Sequence, residues 1–389
     1  MEFVKLGKLC SIITDGTHQT PTYSNEGYVF LSSKNVTSKK IDWNNVKYIP
    51  EELHKELSKR LKPQKNDILL AKNGTTGVAA LVDRDEVFDI YVSLALLRPN
   101  ETTYPPYILH VINSPMTKRQ FDKSLKGIGV PNLHLKEIKN VTIPVPSIDI
   151  QNKIVKVLDK GQSLIDKRKN QIESLDELVK SRFIEMFGDP VSNFKGWEKI
   201  EIGNKFEIKT GATPSRKENI YWQDGNIPWV KTTELKEYVI TETEEHITEE
   251  GFNNSSVNML PKNTILVAMY GQGKTRGMTG KLGIEATTNQ ACAAILPNKN
   301  ENMDFIWYQL ILLYNDLRDL GRGGNQPNLN TNLIKGYELI FPPIELQNQF
   351  AGFVKQVDKL KFEMQKSLKE LEDNFNSLMQ KAFKGELFN

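Results

Sequence analysis

The run Gly271-Gln272-Gly273-Lys274-Thr275 follows an apolar, β-type segment and nearly completes a phosphate-binding loop. In such loops backbone N–H groups cradle phosphates, the lysine reaches them, and a helix follows whose N-terminus holds the anion. Here Ala268 stands where the first glycine belongs, and Gly277, Gly280 and Gly283 follow where the helix should begin. Nucleotide binding is therefore not expected. What remains is a flexible loop in which Tyr270, Gln272, Lys274 and Arg276 suit phosphate or base-edge contact.

Other routes to chemistry close as quickly. His18, His54, His110, His134 and His246 show none of the close His/Cys/carboxylate spacings of a metal site. Glu137-Ile138-Lys139 and Glu207-Ile208-Lys209 have the Glu-x-Lys form of metal-dependent nucleases, but no Pro-Asp precedes either in a suitable place. There is no Gly-x-Ser-x-Gly elbow, no Asn-Pro-Pro-Tyr of amino-methyltransferases and no Gly-x-Gly-x-x-Gly after a strand. Cys10 and Cys292 are too few for a disulfide framework and too far apart for a paired-thiol motif.

Polar, basic and aromatic loops are what the chain offers instead. Asn, Gln, Arg and Lys read base edges, while Ser, Thr and backbone N–H groups hold phosphates. In the first half the candidates are Thr17, His18, Thr20, Lys34, Asn35, Lys72, Asn73, Asn132 and His134. In the second half they are Thr213, Ser215, Arg216, Lys217, Lys231, Tyr270, Gln272, Lys274, Arg276, Arg322, Asn325, Gln326 and Asn328. Taken singly, each is also ordinary turn chemistry.

The elements that must position these loops come in two copies. Pro131-Asn132-Leu133 recurs as Pro327-Asn328-Leu329, an offset of 327 − 131 = 196, and the same offset carries Ile138-Lys139 onto Ile334-Lys335 and Gln151-Asn152 onto Gln347-Asn348. Without a gap it also pairs Gly7 with Gly203, Ile12 with Ile208, Thr14 with Thr210 and Thr17 with Thr213. The stretch Pro63–Ala71 parallels Pro261–Ala268 with a small length change. Short apolar runs at Tyr28–Leu31, Ile68–Ala71, Tyr91–Leu94, Ile227–Val230, Thr264–Met269 and Ala293–Leu296 read as strands, with helical patches at Pro106–Ile112 and Phe305–Arg318.

Each copy ends in a long helix. After Pro144 and Pro146, Ile154, Leu158, Ile165, Ile172, Leu175, Val179 and Met186 fall on steps of four and three, with Gly161, Arg168 and Arg182 as the imperfect positions. After Pro342-Pro343 come Phe350, Val354, Val357, Met364, Leu368, Leu371, Phe375, Leu378 and Ala382. Each helix should span roughly 55 Å at about 1.5 Å per residue. So narrow a stripe wants a partner helix, and the other copy's helix is the economical one. The expected chain is α+β: a domain at 1–146, a helix at 147–189, a second domain at 190–343 and a second helix at 344–389, pairing as an antiparallel coiled coil with pseudo-two-fold repetition.

Length and composition agree. With 389 residues, 39% hydrophobic and 25% charged, the chain has room for two or three ordinary domains. No run approaches a membrane span, and the charged N-terminus does not read as a signal peptide, so a cytoplasmic, non-membrane protein is expected. The formal charge is only +3, with 20 basic and 15 acidic side chains in 1–146 but 16 and 18 in 191–343. If the chain binds nucleic acid, its cations must be gathered on particular loops.

At this point the sequence resembles the specificity (S) subunits of Type I restriction-modification systems, over nearly its whole length. The resemblance rests on Asp15-Gly16-Thr17-His18 with Thr20-Pro21, on Gly211 and Thr213-Pro214-Ser215 leading to Tyr221-Trp222 and Ile227–Val230, and on Thr288-Asn289-Gln290-Ala291. Two proline-marked helices ending in Phe187-Gly188-Asp189 and Phe383-Lys384-Gly385-Glu386-Leu387 complete it. It implies a noncatalytic DNA-binding subunit whose two target recognition domains each read half of a split double-stranded DNA sequence, with the helices as spacer and as docking sites for two methyltransferase (M) subunits. By the same resemblance the M subunits carry S-adenosylmethionine, restriction (R) subunits carry ATP and magnesium, and this chain carries no cofactor. The competing expectation is a protein-interaction scaffold with two partner-binding domains, and the salt dependence of DNA binding separates the two.

Overall fold

The computed structural model describes residues 1–125, 132–271, 273–321 and 328–388. Two compact units emerge, Met1–Asn170 with Gln365–Asn389, and Gln171–Met364. Both cuts fall inside long helices, Ile148–Phe187 of 40 residues and Ile344–Lys384 of 41. No helix among the described residues is long and apolar enough to cross a membrane.

In the first unit a four-stranded antiparallel sheet runs in the order Cys10–Asp15, Leu94–Pro99, Ile68–Ala71, Ala79–Leu81. Ile68-Leu69-Leu70-Ala71 is apolar throughout because both faces are buried, successive side chains pointing to opposite sides. Ile68 and Leu70 join a core with Leu97, Tyr107, Ile108 and the long helices, whereas Leu69 and Ala71 join Leu31, Phe88 and Ile90. That second core backs a three-stranded sheet of Lys47–Ile49, Tyr28–Leu31 and Phe88–Ile90, its last pair parallel. Glu2–Lys5 pairs with Thr142–Val145. The run expected as a strand at Tyr91–Leu94 is instead a turn between Phe88–Ile90 and Leu94–Pro99.

The second unit repeats the plan. Its five-stranded sheet has the order Ile208–Thr210, Cys292–Ile295, Ile265–Ala268, Thr279–Leu282, Val239–Ile240, beside a three-stranded sheet of Glu245–Ile247, Ile227–Val230 and Thr287–Thr288. Lys199–Glu201 pairs with Glu338–Ile340. The helical patch at Phe305–Arg318 divides into Met303–Leu312 and Tyr314–Asp319.

What repeats in sequence repeats because it holds the frame. Gln151 and Gln347 are both buried: Gln151 Oε1 accepts from Tyr104 N–H at 2.8 Å and its amide donates to Pro146 O at 2.9 Å, while Gln347 does the same with Asn302 N–H at 3.0 Å and Pro342 O at 2.9 Å. Asn66 and Asn263 turn the chain at φ 72° and 69°, left-handed backbone that asparagine tolerates. The gapless register, however, breaks. A β-bulge between Cys10 and Ile12 adds a residue to the first copy. Beyond it Ile13, opposite Leu97, is the equivalent of Ile208, opposite Ile295, and Gly16 is the equivalent of Gly211. Ile12–Ile208, Thr14–Thr210 and Thr17–Thr213 are therefore each one residue out.

The helix stripe is wider at its ends than a coiled-coil seam. In the first unit Ile154, Leu158 and Ile165 meet Phe375, Met379 and Phe383 within one core that also includes the sheet. Gly161, an imperfect seam position, makes room for the Phe375 ring, whose Cδ2 lies 2.8 Å from where a Cβ would be. In the second unit Leu175 and Val179 meet Phe350, Val354 and Val357. There Phe183 and Phe187 are fully buried, with Met186 packed against the same core, and they meet Phe305 and Phe350 mostly edge to face with ring centroids 4.8–5.8 Å apart. Burying each such ring contributes about 1.5–3 kcal/mol, which is why the cuts between units run through the helices and not at their proline-marked starts.

Candidate nucleic-acid interface

The first unit gathers its candidates at the C-terminal ends of Cys10–Asp15 and Ile68–Ala71, the two strands that flank Leu94–Pro99. Gly16 turns the chain after Asp15, and a Cβ there would stand 1.9 Å from Ile90 O, so only glycine allows the approach. Leu133 N–H donates to Lys72 O at 2.9 Å and Asn132 bridges Asn73, which draws 132–134 beside the end of Ile68–Ala71. His18, Lys72, Asn73, Asn132 and His134 thus line one cleft of about 520 Å³ with Asp15. Asp15 and His18 also border a second cleft, about 480 Å³, with Thr17, Thr20, Arg60 and Asp89.

Charge in these clefts is organised around Asp15. Lys72 Nζ donates to Asp15 Oδ2 at 2.6 Å, and Arg60 and His18 approach the other oxygen at 3.4 Å. Burial resists ionisation of Asp15, but Lys72 and His18 outweigh it and hold the carboxyl below its ordinary range. Lys72 is consequently a wall of the site. Thr17 N–H bonds Ile90 O at 3.0 Å and its hydroxyl accepts from Gln19 N–H at 3.3 Å, which shapes the turn; His18, Thr20, Asn132 and His134 are exposed.

Lys34 is exposed on the short turn Ser33–Asn35. Asn35 is not available to DNA: it is 7% exposed, its Oδ1 accepts from Ser32 N–H at 2.9 Å, and its amide donates to Asn45 O at 2.9 Å. That side chain fastens the loop because a buried amide must find partners.

The second unit's candidates form two groups. Thr213 donates to Gln290 Oε1; Ser215 O accepts from Trp222 Nε1–H at 3.1 Å; Arg216 lies over the Trp222 ring and bonds Glu245; Lys231 pairs with Glu244 at 2.7 Å and Glu245 at 3.0 Å. Lys217 is exposed beside them in sequence. The other group is Tyr270, Lys274, Arg276 and Asn328, with Leu329 N–H donating to Met269 O at 2.9 Å as Leu133 does to Lys72. Gln272, Arg322, Asn325 and Gln326 lie outside the described residues.

The 270–276 loop is less free than its glycines suggest. Tyr314 Oη donates to Lys274 O at 2.6 Å, and Arg318 donates to Arg276 O at 3.2 Å and to Tyr314 Oη at 2.6 Å. Thr279–Leu282, a strand, follows the Gly271–Thr275 run where a nucleotide loop needs a helix. Burial pushes the Cys10 and Cys292 thiols up to about 12, so neither is a thiolate near neutrality.

Sequence reasoning missed Trp222, Glu245, Tyr314 and Arg318 as parts of these surfaces. For Trp222 the signal was present, as a large ring in a polar loop. The others act through contacts between distant segments that no spacing rule encodes.

Comparison with known proteins places this geometry. The family model of the Type I restriction modification DNA specificity domain matches residues 1–174 and 194–373. The chain is 24% identical over 382 residues to the type I restriction enzyme MjaIX specificity subunit of Methanocaldococcus jannaschii, covering 94% of this chain and 84% of that one. It is 24% identical over 235 residues to the EcoR124I/EcoR124II specificity subunit of Escherichia coli, covering 57% and 56%. Among solved structures, the S subunit of a type I system from M. genitalium aligns with a TM-score of 0.54 at 16% identity, over 98% of this chain and 96% of that one. A chain from a type I system solved for its complex assembly and conformational transition aligns at 0.61 and 17% identity, over 99% and 98%. At such identities the structural likeness speaks for the fold alone.

Proposed function

The chain belongs to the family of type I restriction-modification DNA specificity domains, and from that premise we propose that residues 1–146 and 190–343 each read one half of a bipartite duplex target. The observation that carries this reading is an unchanged frame bearing changed chemistry. Gly16 and Gly211 make the same close turn, and Gln151 and Gln347 the same clamp. Yet Asp15 and Lys72 give way to Thr210 and Met269 at the equivalent places, and Lys47, opposite Phe30, gives way to Glu245, opposite Trp229. A duplicated frame with diverged rims suits two different half-sites.

In this reading the chain has no active site of its own; the long helices set the spacing of the half-sites and dock two M subunits, which hold S-adenosylmethionine, while R subunits supply the ATP- and magnesium-dependent steps. Replacing residues 190–343 by the corresponding domain of another S subunit tests it. One half of the methylated motif should change and the other persist. A change in both halves, or in neither, would overturn the modular reading.

A further inference from the structure

In the second unit a cation rests on an aromatic seat. The Arg216 guanidinium lies 3.6 Å from the centroid of the Trp222 ring and 4.8 Å from that of Trp229, and the two indoles meet edge to face at 5.0 Å. Both indole N–H groups donate into the segment that carries the arginine, Trp222 to Ser215 O at 3.1 Å and Trp229 to Ala212 O at 3.0 Å. The rings that support the guanidinium therefore also fasten its backbone. Glu245 accepts from one amino group of Arg216, which fixes rotation within the plane. The side chain stays 49% exposed, and Nε and the second amino group bond to no described residue.

The same seat occurs in the first unit with a different occupant. Tyr23 and Phe30 meet edge to face at 6.1 Å, and Lys47 Nζ stands 3.9 Å from the centroid of Tyr23. Lys47 pairs with Phe30 across the strands as Glu245 pairs with Trp229. Where one copy supplies a lysine, the other supplies a carboxylate that holds an arginine brought in from the loop. A compact point charge has been exchanged for a planar, oriented fork.

Charge separates the two things such a fork can bind. Arg216 and Lys231 face Glu244 and Glu245, two cations against two carboxylates. Burial resists ionisation of Glu245, yet Arg216 and Lys231 outweigh it and hold the carboxyl below its ordinary range. Paired in this way the cations offer a phosphate less net charge than free ones would, and although a guanidinium fork also fits phosphate oxygens, only a base edge turns its fixed orientation into a choice of sequence. A guanine edge presents two uncharged acceptors, O6 and N7, in the geometry of a guanidinium fork.

We propose that Arg216 reads a guanine in the second half-site through the open edge of its guanidinium, with Trp222 and Glu245 as its positioning residues. This rests on the DNA-reading function proposed above and adds the base and the reader.

The test uses the full chain expressed with the methyltransferase subunit of its own genome, in cells without other adenine methylation. The methylated motif is sequenced, and the affinity of the assembled complex is measured for duplexes varied at each second half-site position. Arg216→Ala should make one G·C position degenerate, lowering the preference for guanine there by about tenfold to a hundredfold, with the first half-site unchanged. Glu245→Gln should relax the same position more weakly. Three results overturn the proposal: a second half-site without a G·C pair, an unaltered motif in Arg216→Ala, or a uniform loss of affinity with a salt slope lower by about one, which marks a phosphate contact. If Arg216→Ala gives no methylation, the affinity of the assembled Arg216→Met complex decides, because methionine can lie on the indoles but has no donor: an undiminished preference for guanine overturns the role and a relaxed position supports it. Absence of any bipartite motif in the wild type would instead sink the DNA-reading function itself.

Discussion

Asp15 and Lys72 meet at 2.6 Å with side chains 8% and 7% exposed, and their equivalents in the second unit are Thr210 and Met269. Removing one partner of such a pair strands a buried charge, at about 3–5 kcal/mol, whereas replacing both can be nearly neutral. Lys72→Met should therefore destabilise the first unit by an amount at the lower end of that range, since Arg60 and His18 still face the carboxylate. Asp15→Thr combined with Lys72→Met, which imports the second unit's solution, should restore most of the loss. Denaturant unfolding of the two variants checks this; a double variant no better than the single would show that the frame depends on the charge itself. The pH dependence has a definite sign. The folded Asp15 carboxyl sits below its ordinary range, so its contribution is full above the unfolded value of about 3.9 and lost as pH falls through the lower folded value. The stability gap between wild type and Lys72→Met should narrow only in that acid window, where Asp15 becomes protonated.

The loop at 270–276 shows what happens at the scale of an element. Two strands, Ile265–Ala268 and Thr279–Leu282, are joined by a glycine-rich connection whose backbone is held from the helix Tyr314–Asp319. Each neutral hydrogen bond there contributes roughly 0.5–1.5 kcal/mol, too little to govern global stability but enough to govern local opening. Tyr314→Phe should leave the unfolding midpoint almost unchanged and speed hydrogen exchange at Gly277 and Met278, whose N–H groups bond Ala268 O and Thr275 O. Unchanged protection at both amides would show that the anchor is idle.

That loop also marks the boundary of what the sequence could convey. Periodicity exposed the buried strands and the long helices, and identity at a fixed offset exposed Gln151 and Gln347, because local pattern and repeated role leave a trace in one dimension. The first cleft was partly legible too, since His18, Lys72, Asn73, Asn132 and His134 do converge. Asn35 looked like a reader because burial is invisible in a polar run. Met186 does pack against the core, but the heptad does not show that Phe183 and Phe187, off the stripe, are the side chains buried most deeply there. The seat of Arg216 joins Trp222, Trp229 and Glu245 from separate segments, and the one-residue bulge after Cys10 was masked by an alignment that still matched by type.

At the scale of the whole molecule, the positions that divide the units also offer a clean way to test the proposal that the helices set the spacing of two half-sites. The boundaries Asn170/Gln171 and Met364/Gln365 lie inside continuous helix, away from the proline-marked starts. Four residues inserted at both boundaries, chosen from Ala, Leu, Glu and Lys to keep helix propensity, leave each unit's own core and seam untouched. Within the first unit Lys169 still reaches Glu372, and within the second Lys361 still reaches Asp176. Each helix gains about 6 Å, close to one turn, so an attached domain is displaced with little rotation. Base pairs in B-DNA rise about 3.4 Å, and the unread spacer of the target should grow by one or two base pairs while both half-sites keep their sequence. An insertion at one boundary alone should do worse, because it shifts one helix against its partner and breaks the contacts of Phe375 with Gly161 or of Phe350 with Phe183. Circular dichroism establishes that the double insertion is folded, and sequencing of methylated DNA reads the spacer. A folded, methylating double insertion that keeps the original spacing would show that the helices are not what sets it.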